Sequence, residues 1–132
     1  MGNGRFTGER RDIQARAFDF AVQIVRLHQR IARQGPEGRV IGSQLLRSGA
    51  SIGANLEEAA AGHSRADFIA KCVVALKEAR ETHYWLRLIA ACGIAGQQDL
   101  APLTAEANAL VAILTAIVKN ARLPAGPTGS TD

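Results

Sequence analysis

Three histidines, two cysteines and a stripe of arginines are the residues of this sequence whose chemistry needs testing first. A di-iron or di-manganese bundle needs inward carboxylates and a Glu-x-x-His pair on each of two helices, because two metals require bridging oxygens and an imidazole apiece. No Glu in the chain is followed by His at the third position. His28, His63 and His83 show no metal-ligand spacing with one another or with Cys72 and Cys92, and the zincin pattern is absent. A metal site, and with it a metal cofactor, is therefore not expected. A small basic ribonuclease that works through Arg and His four to six residues apart on one helix is the other candidate chemistry. Arg80 and His83 stand three apart and miss that spacing, so His83, on the inner side of its helix, reads as a hydrogen-bonded core histidine. Gly49-Ala-Ser-Ile-Gly53 lacks the strand-to-helix context of a phosphate loop or a nucleophile elbow. The expectation is a protein with no catalytic residues, no metal and no cofactor.

The arginines remain. Residues 1–34 hold seven Arg against three acids, so the first helix carries most of the positive field of a chain whose net charge is +4. Arg16, Arg26, Arg30 and Arg33 fall on one polar stripe with Asp12, Asp19 and Gln23, and the stripe becomes wholly basic in its second half. Guanidinium groups spaced along a helix can meet successive phosphates of RNA or DNA, in contacts that are salt-sensitive and largely sequence-independent. The same pattern also serves as a solvated face, and no aromatic residue is interleaved to stack on bases.

Positioning these residues takes one domain. The 132 residues are 47% hydrophobic and only 5% aromatic, with no period-two runs of β-branched residues, which points to an all-α core of small and aliphatic side chains. Four helices are predicted, at 10–34, 38–61, 65–92 and 100–122, in an antiparallel up-down-up-down four-helix bundle over residues 10–122. Residues 1–9 and 123–132 read as disordered ends from their Gly, Pro and polar content. No stretch reaches 18 uninterrupted apolar residues and the N-terminus lacks a signal-peptide core, so a cytoplasmic protein with no membrane span is expected. Cys72 and Cys92, 20 residues apart on one helix, lie roughly 30 Å apart and cannot bridge; two buried thiols are expected.

The first helix has its seam at Ile13, Ala17, Phe20, Ile24, Leu27 and Ile31, widened by Phe18, Ala21, Val25 and Ala32. The second sets a large-residue face, Ile41, Leu45, Ile52, Leu56 and Ala59, beside a small-residue sector that includes Gly42, Gly49 and Gly53. A glycine costs a helix about 1 kcal/mol against alanine, so Gly49 and Gly53 ask for close approach of another backbone. Ser64-Arg-Ala-Asp67 is a capping-box variant that starts the third helix. Its outward side carries Val74, Trp85 and Leu88, which together with Gly49 and Gly53 read as an oligomer interface.

The segment from Gln44 to Leu86 resembles the small four-helix bundle proteins encoded in intervening sequences of large-subunit ribosomal RNA genes. Gln44, Arg47, Ser51-Ile52, Asn55-Leu56 and Glu58, then Ser64, Asp67-Phe68, Ala75 and Glu81, stand in that family's order and spacing. The likeness in length and helix count extends over about residues 12–122. Departures are Ala59 where Gly is usual, Ala61-Gly62 in place of Gly-Arg, and Lys77-Glu78 in place of a small pair. The resemblance implies a bundle that assembles into a ring-like homo-oligomer, a homopentamer in relatives. It also implies kinship with the accessory variability proteins of diversity-generating retroelements, basic scaffolds that bind nucleic acid and a reverse transcriptase. For Ser51 and Asn55 the expected role, beside Arg47 and Glu58, is hydrogen bonding between helices or subunits. The resulting expectation is a non-catalytic oligomeric accessory protein that binds RNA or DNA through a basic surface. Its alternative is a protein-interaction scaffold with no nucleic-acid role.

Overall fold

The computed structural model describes residues 4–123, with side chains from residue 12. Every regular element among them is helical: α1 (Gly4–Ile31), α2 (Gly35–Ala61), α3 (Arg65–Ala91) and α4 (Gln97–Arg122). The predicted tail beyond Leu123 and residues 1–3 lie outside the described residues. Helix α1 starts at Gly4, inside the segment assigned from sequence to a disordered end. Glycine weakens a helix but does not end one, and adding residues to a helix already nucleated is favourable.

The turns follow from local chemistry. Gly35 takes a φ of +89°, closed to most side chains, and Pro36 then opens α2, its missing N–H being one that has no helical partner there. The Asp67 amide donates to Ser64 Oγ at 3.1 Å, as the capping pattern requires. Gly93, at φ +68°, turns the chain just past α3. Helix α4 begins three residues earlier than predicted, which sets Pro102 in its second turn rather than its first.

Short connections force neighbouring helices antiparallel. On α2 the numbering rises as it falls on α1, Gly42 lying against His28 and Ile31 and Gly53 against Ala17. At the far end Arg65, opening α3, donates from Nε to the Ala121 carbonyl oxygen of α4 at 2.7 Å. Among adjacent helices, α2 and α3 share the most extensive contact and α1 and α4 the least. The result is the expected four-helix bundle.

The α1 seam is buried at all six predicted positions. Phe18 and Val25, expected to widen it, are instead 64% and 39% exposed, because the helical repeat turns both well away from the centre of the seam. On α3, Thr82 is buried where His83 was expected, and His83 is half-buried. Helix α4 is long and apolar enough by length and composition to cross a membrane. It also lends the core Leu100, Leu103, Ala107, Leu110, Leu114 and Val118.

Candidate nucleic-acid interface

The four arginines of the α1 stripe do not share one environment. Arg16 grips Glu106 of α4 with two hydrogen bonds, Nε to Oε2 at 3.0 Å and Nη2 to Oε1 at 2.7 Å. That hydrogen bonding raises the guanidinium pKa above its ordinary value, against a lowering by burial, with the charges of Glu106 and Asp12 adding to the rise. Arg30 Nη2 lies 3.7 Å from Asp99 Oδ1, a looser and half-exposed pair. Arg26 and Arg33 are exposed and have no acidic partner among the described residues. Position explains the division: Arg16 and Arg30 lie on the edge of α1 turned to α4, Arg26 lies further round, facing solvent, and Arg33, predicted inside the helix, stands past its end in the turn before Gly35. Two of the predicted contact residues therefore already hold acids, and two are open.

Of the family-signature residues, Arg47 and Glu81 meet across the seam between α2 and α3. Arg47 donates from Nε to Gln44 Oε1 at 3.2 Å, pairs through Nη1 with Glu78 Oε1 at 3.2 Å, and pairs through Nη2 with Glu81. The same Glu81 oxygen accepts from Trp85 Nε1 at 2.9 Å. Arg47 is thus a clamp between two helices, held by two carboxylates that are themselves partly buried. Ser51 and Asn55 correct the expectation of bonds between helices. Ser51 Oγ donates to the Arg47 carbonyl at 2.6 Å and Asn55 Nδ2 to the Ser51 carbonyl at 2.8 Å, both one turn back on their own helix. Glu58 is exposed with no partner among the described residues. Phe68 is half-buried and lines a cleft of about 590 Å³ at the bundle end, with Ile13, Leu56, Ile117 and the polar His63 and Arg65 at its margin.

The assigned oligomer residues divide as well. Gly49 is buried in its own chain: a Cβ there would stand 2.9 Å from Ile24 Cγ2. A Cβ at Gly53 would lie 3.6 Å from the backbone of Ala17. The close approach that these glycines demand comes from α1, so Gly49 is not an interface between copies. Trp85 and Leu88 are half-buried, and the tryptophan is anchored by Glu81, whereas Val74 is 39% exposed. Cys72 is buried and Cys92 exposed, the latter because it stands just past the last turn of α3. Half-buried His83 has no hydrogen-bond partner among the described residues and is not the satisfied core histidine expected. No three His, Cys, Asp or Glu side chains converge among those residues.

The residues missed in the sequence are the acids that neutralise the stripe and the clamp: Glu106, Asp99 and Glu78. No local signal marks them, since Arg16 and Glu106 are 90 positions apart and meet only once the bundle has closed.

None of the curated proteins matches the chain. Among solved structures it is similar to a protein of unknown function from the S23 ribosomal protein family of Bacteroides thetaiotaomicron. The two share 36% identity at a TM-score of 0.79, over 84% of this chain and 98% of that one. The model of one family matches residues 9–116. With the bundle, the Arg47 clamp and these likenesses in place, the chain belongs to the 23S rRNA-intervening sequence protein family.

Proposed function

We propose that this chain is a non-catalytic, homo-oligomeric accessory protein that binds RNA or DNA through its basic surface. The observation that carries the proposal is the pair Arg26 and Arg33, exposed, seven residues apart and unopposed by any acid among the described residues. One stands on α1 and the other in the turn that follows it, and each can meet a phosphate without first breaking an ion pair. Self-association is supported by large apolar side chains left outside the bundle, Phe18, Val40 and Val74 among them; the family resemblance favours five copies. A cytoplasmic setting suits the exposed free thiol of Cys92.

Those apolar side chains also favour a second reading, a scaffold whose client is a protein such as a reverse transcriptase. Salt separates the two. Fluorescence anisotropy with a generic labelled RNA and its DNA counterpart should give binding that falls steeply between low and moderate salt, and that collapses on charge reversal at Arg26, Arg30 and Arg33. Absence of binding at low salt rejects the nucleic-acid reading and leaves the scaffold.

A further inference from the structure

The acids of α3 and α4 are all drawn to one side or the other. On α3, Asp67 sits in the first turn, and Glu78 and Glu81 turn to Arg47 of α2. On α4, Asp99 and Glu106 are the acids present, and both turn to arginines of α1. The outer face of α3 is consequently left to cations. Lys77, Arg80 and Arg87 are exposed there, on the edge of α3 opposite Glu78 and Thr82, with no acidic partner among the described residues.

In their midst stands Tyr84. Positions 77, 80, 84 and 87 follow a three-four-three spacing, so all four side chains share one stripe about 15 Å long. The Tyr84 ring is 48% exposed. Trp85 braces it edge-on, with centroids 5.1 Å apart and planes at 71°, and the Arg87 guanidinium carbon lies 5.9 Å from its centroid. An aromatic ring held in place among cations that have no acidic partner among the described residues is what the α1 stripe lacks.

We infer that this α3 stripe is a site for single-stranded nucleic acid, with one unpaired base stacked on Tyr84 and the flanking phosphates on Lys77, Arg80 and Arg87. The site rests on the nucleic-acid reading above and narrows it. A duplex offers the stripe its phosphates only, because its bases are already stacked on one another; a single strand offers both.

The chain's one tryptophan, Trp85, touches the stacking residue and serves as a reporter. Binding of oligouridylate to the full chain at low salt should quench its emission and proceed more tightly than binding of a duplex of equal length. Tyr84→Ala should weaken oligouridylate binding by roughly tenfold or more and leave duplex binding unchanged, while Tyr84→Phe restores it. Lys77→Glu, Arg80→Glu and Arg87→Glu together should abolish the quench. Neutral replacements at those three positions should make the salt slope shallower by about 2. If Tyr84→Ala binds oligouridylate as the parent does, the inference is overturned and the broader proposal survives through its own arginines. If the parent binds neither strand form, both fall. A Tyr84→Ala chain that loses oligomer mass would show the stripe to be a contact between copies and would also overturn the inference.

Discussion

The Thr82 hydroxyl of α3 donates to Ser48 Oγ of α2 across 2.9 Å, and both side chains are fully buried. Each also has a backbone acceptor on its own helix, Leu45 for Ser48 at 3.3 Å and Glu78 for Thr82 at 2.7 Å. The pair is therefore a polar rivet on the buried side of the α2–α3 seam, whose outer side is held by the Arg47 clamp, with a fallback for either member. Thr82→Val, which keeps the shape, should cost about 1 kcal/mol in urea unfolding, because the stranded Ser48 hydroxyl can still donate to Leu45. Ser48→Ala should cost a similar amount. The double substitution should cost less than the two single changes combined, since it leaves no partner unpaired. Strict additivity would show that the two hydroxyls are not coupled.

Gly49 and Gly53 share a helix face but should respond oppositely to alanine. A Cβ at Gly49 meets Ile24 at 2.9 Å, within the packed core, so Gly49→Ala should destabilise by about 1–2 kcal/mol as overpacking outweighs helix propensity. At Gly53 the nearest atoms lie at 3.6 Å, an ordinary van der Waals distance, and Gly53→Ala should stabilise by about 0.5–1 kcal/mol. Thermal melts of the two variants against the parent check the sign at each position.

How much of the molecule is legible in its sequence depends on range. The α1 seam, the Ser64 cap and the Gly35-Pro36 turn are each set by residues within a turn or two of one another, and each is visible as spacing or as a capping pattern. Gly49 and Gly53 announce a close approach but not its source; only the closed bundle shows that α1 supplies it. By spacing the α1 arginines look equivalent, yet a rotation of a few tens of degrees around the helix separates Arg16, bound to Glu106, from Arg26. Phe18 and Val25 stand outside the core for the same reason.

If copies of the chain associate as proposed, light scattering should give a mass several times 14.0 kDa at micromolar concentration. The interface should then include apolar side chains that the single chain leaves open, such as Phe18 at 64% and Val74 at 39% exposed. Phe18→Glu and Val74→Glu should lower the mass without lowering helicity, because neither side chain supports the monomer core. Trp85→Glu is a weaker test, since it also breaks the bond to Glu81 within the chain. A parent that runs as a monomer rejects the assembly.

Ion pairing within the bundle ranks the α1 arginines for nucleic-acid binding. Arg26 and Arg33 can meet phosphate at no intramolecular cost, whereas Arg16 must first leave a bidentate hold on Glu106. Charge reversal at Arg26 and Arg33 should therefore weaken binding of a generic RNA far more than reversal at Arg16. It should also flatten the salt dependence, by about 0.7–0.9 in log–log slope for each phosphate left without its cation. Arg30, loosely set against Asp99 at 3.7 Å, should fall between. Removing the competitor gives the converse test: Glu106→Gln frees Arg16 and should tighten binding, with the salt slope steepened by the share of one further neutralised phosphate. The same substitution should cost little stability, because an exposed pair of this kind contributes about 0–1 kcal/mol. A ranking with Arg16 first would mean that the polyanion approaches across the α1–α4 edge rather than the outer face of α1.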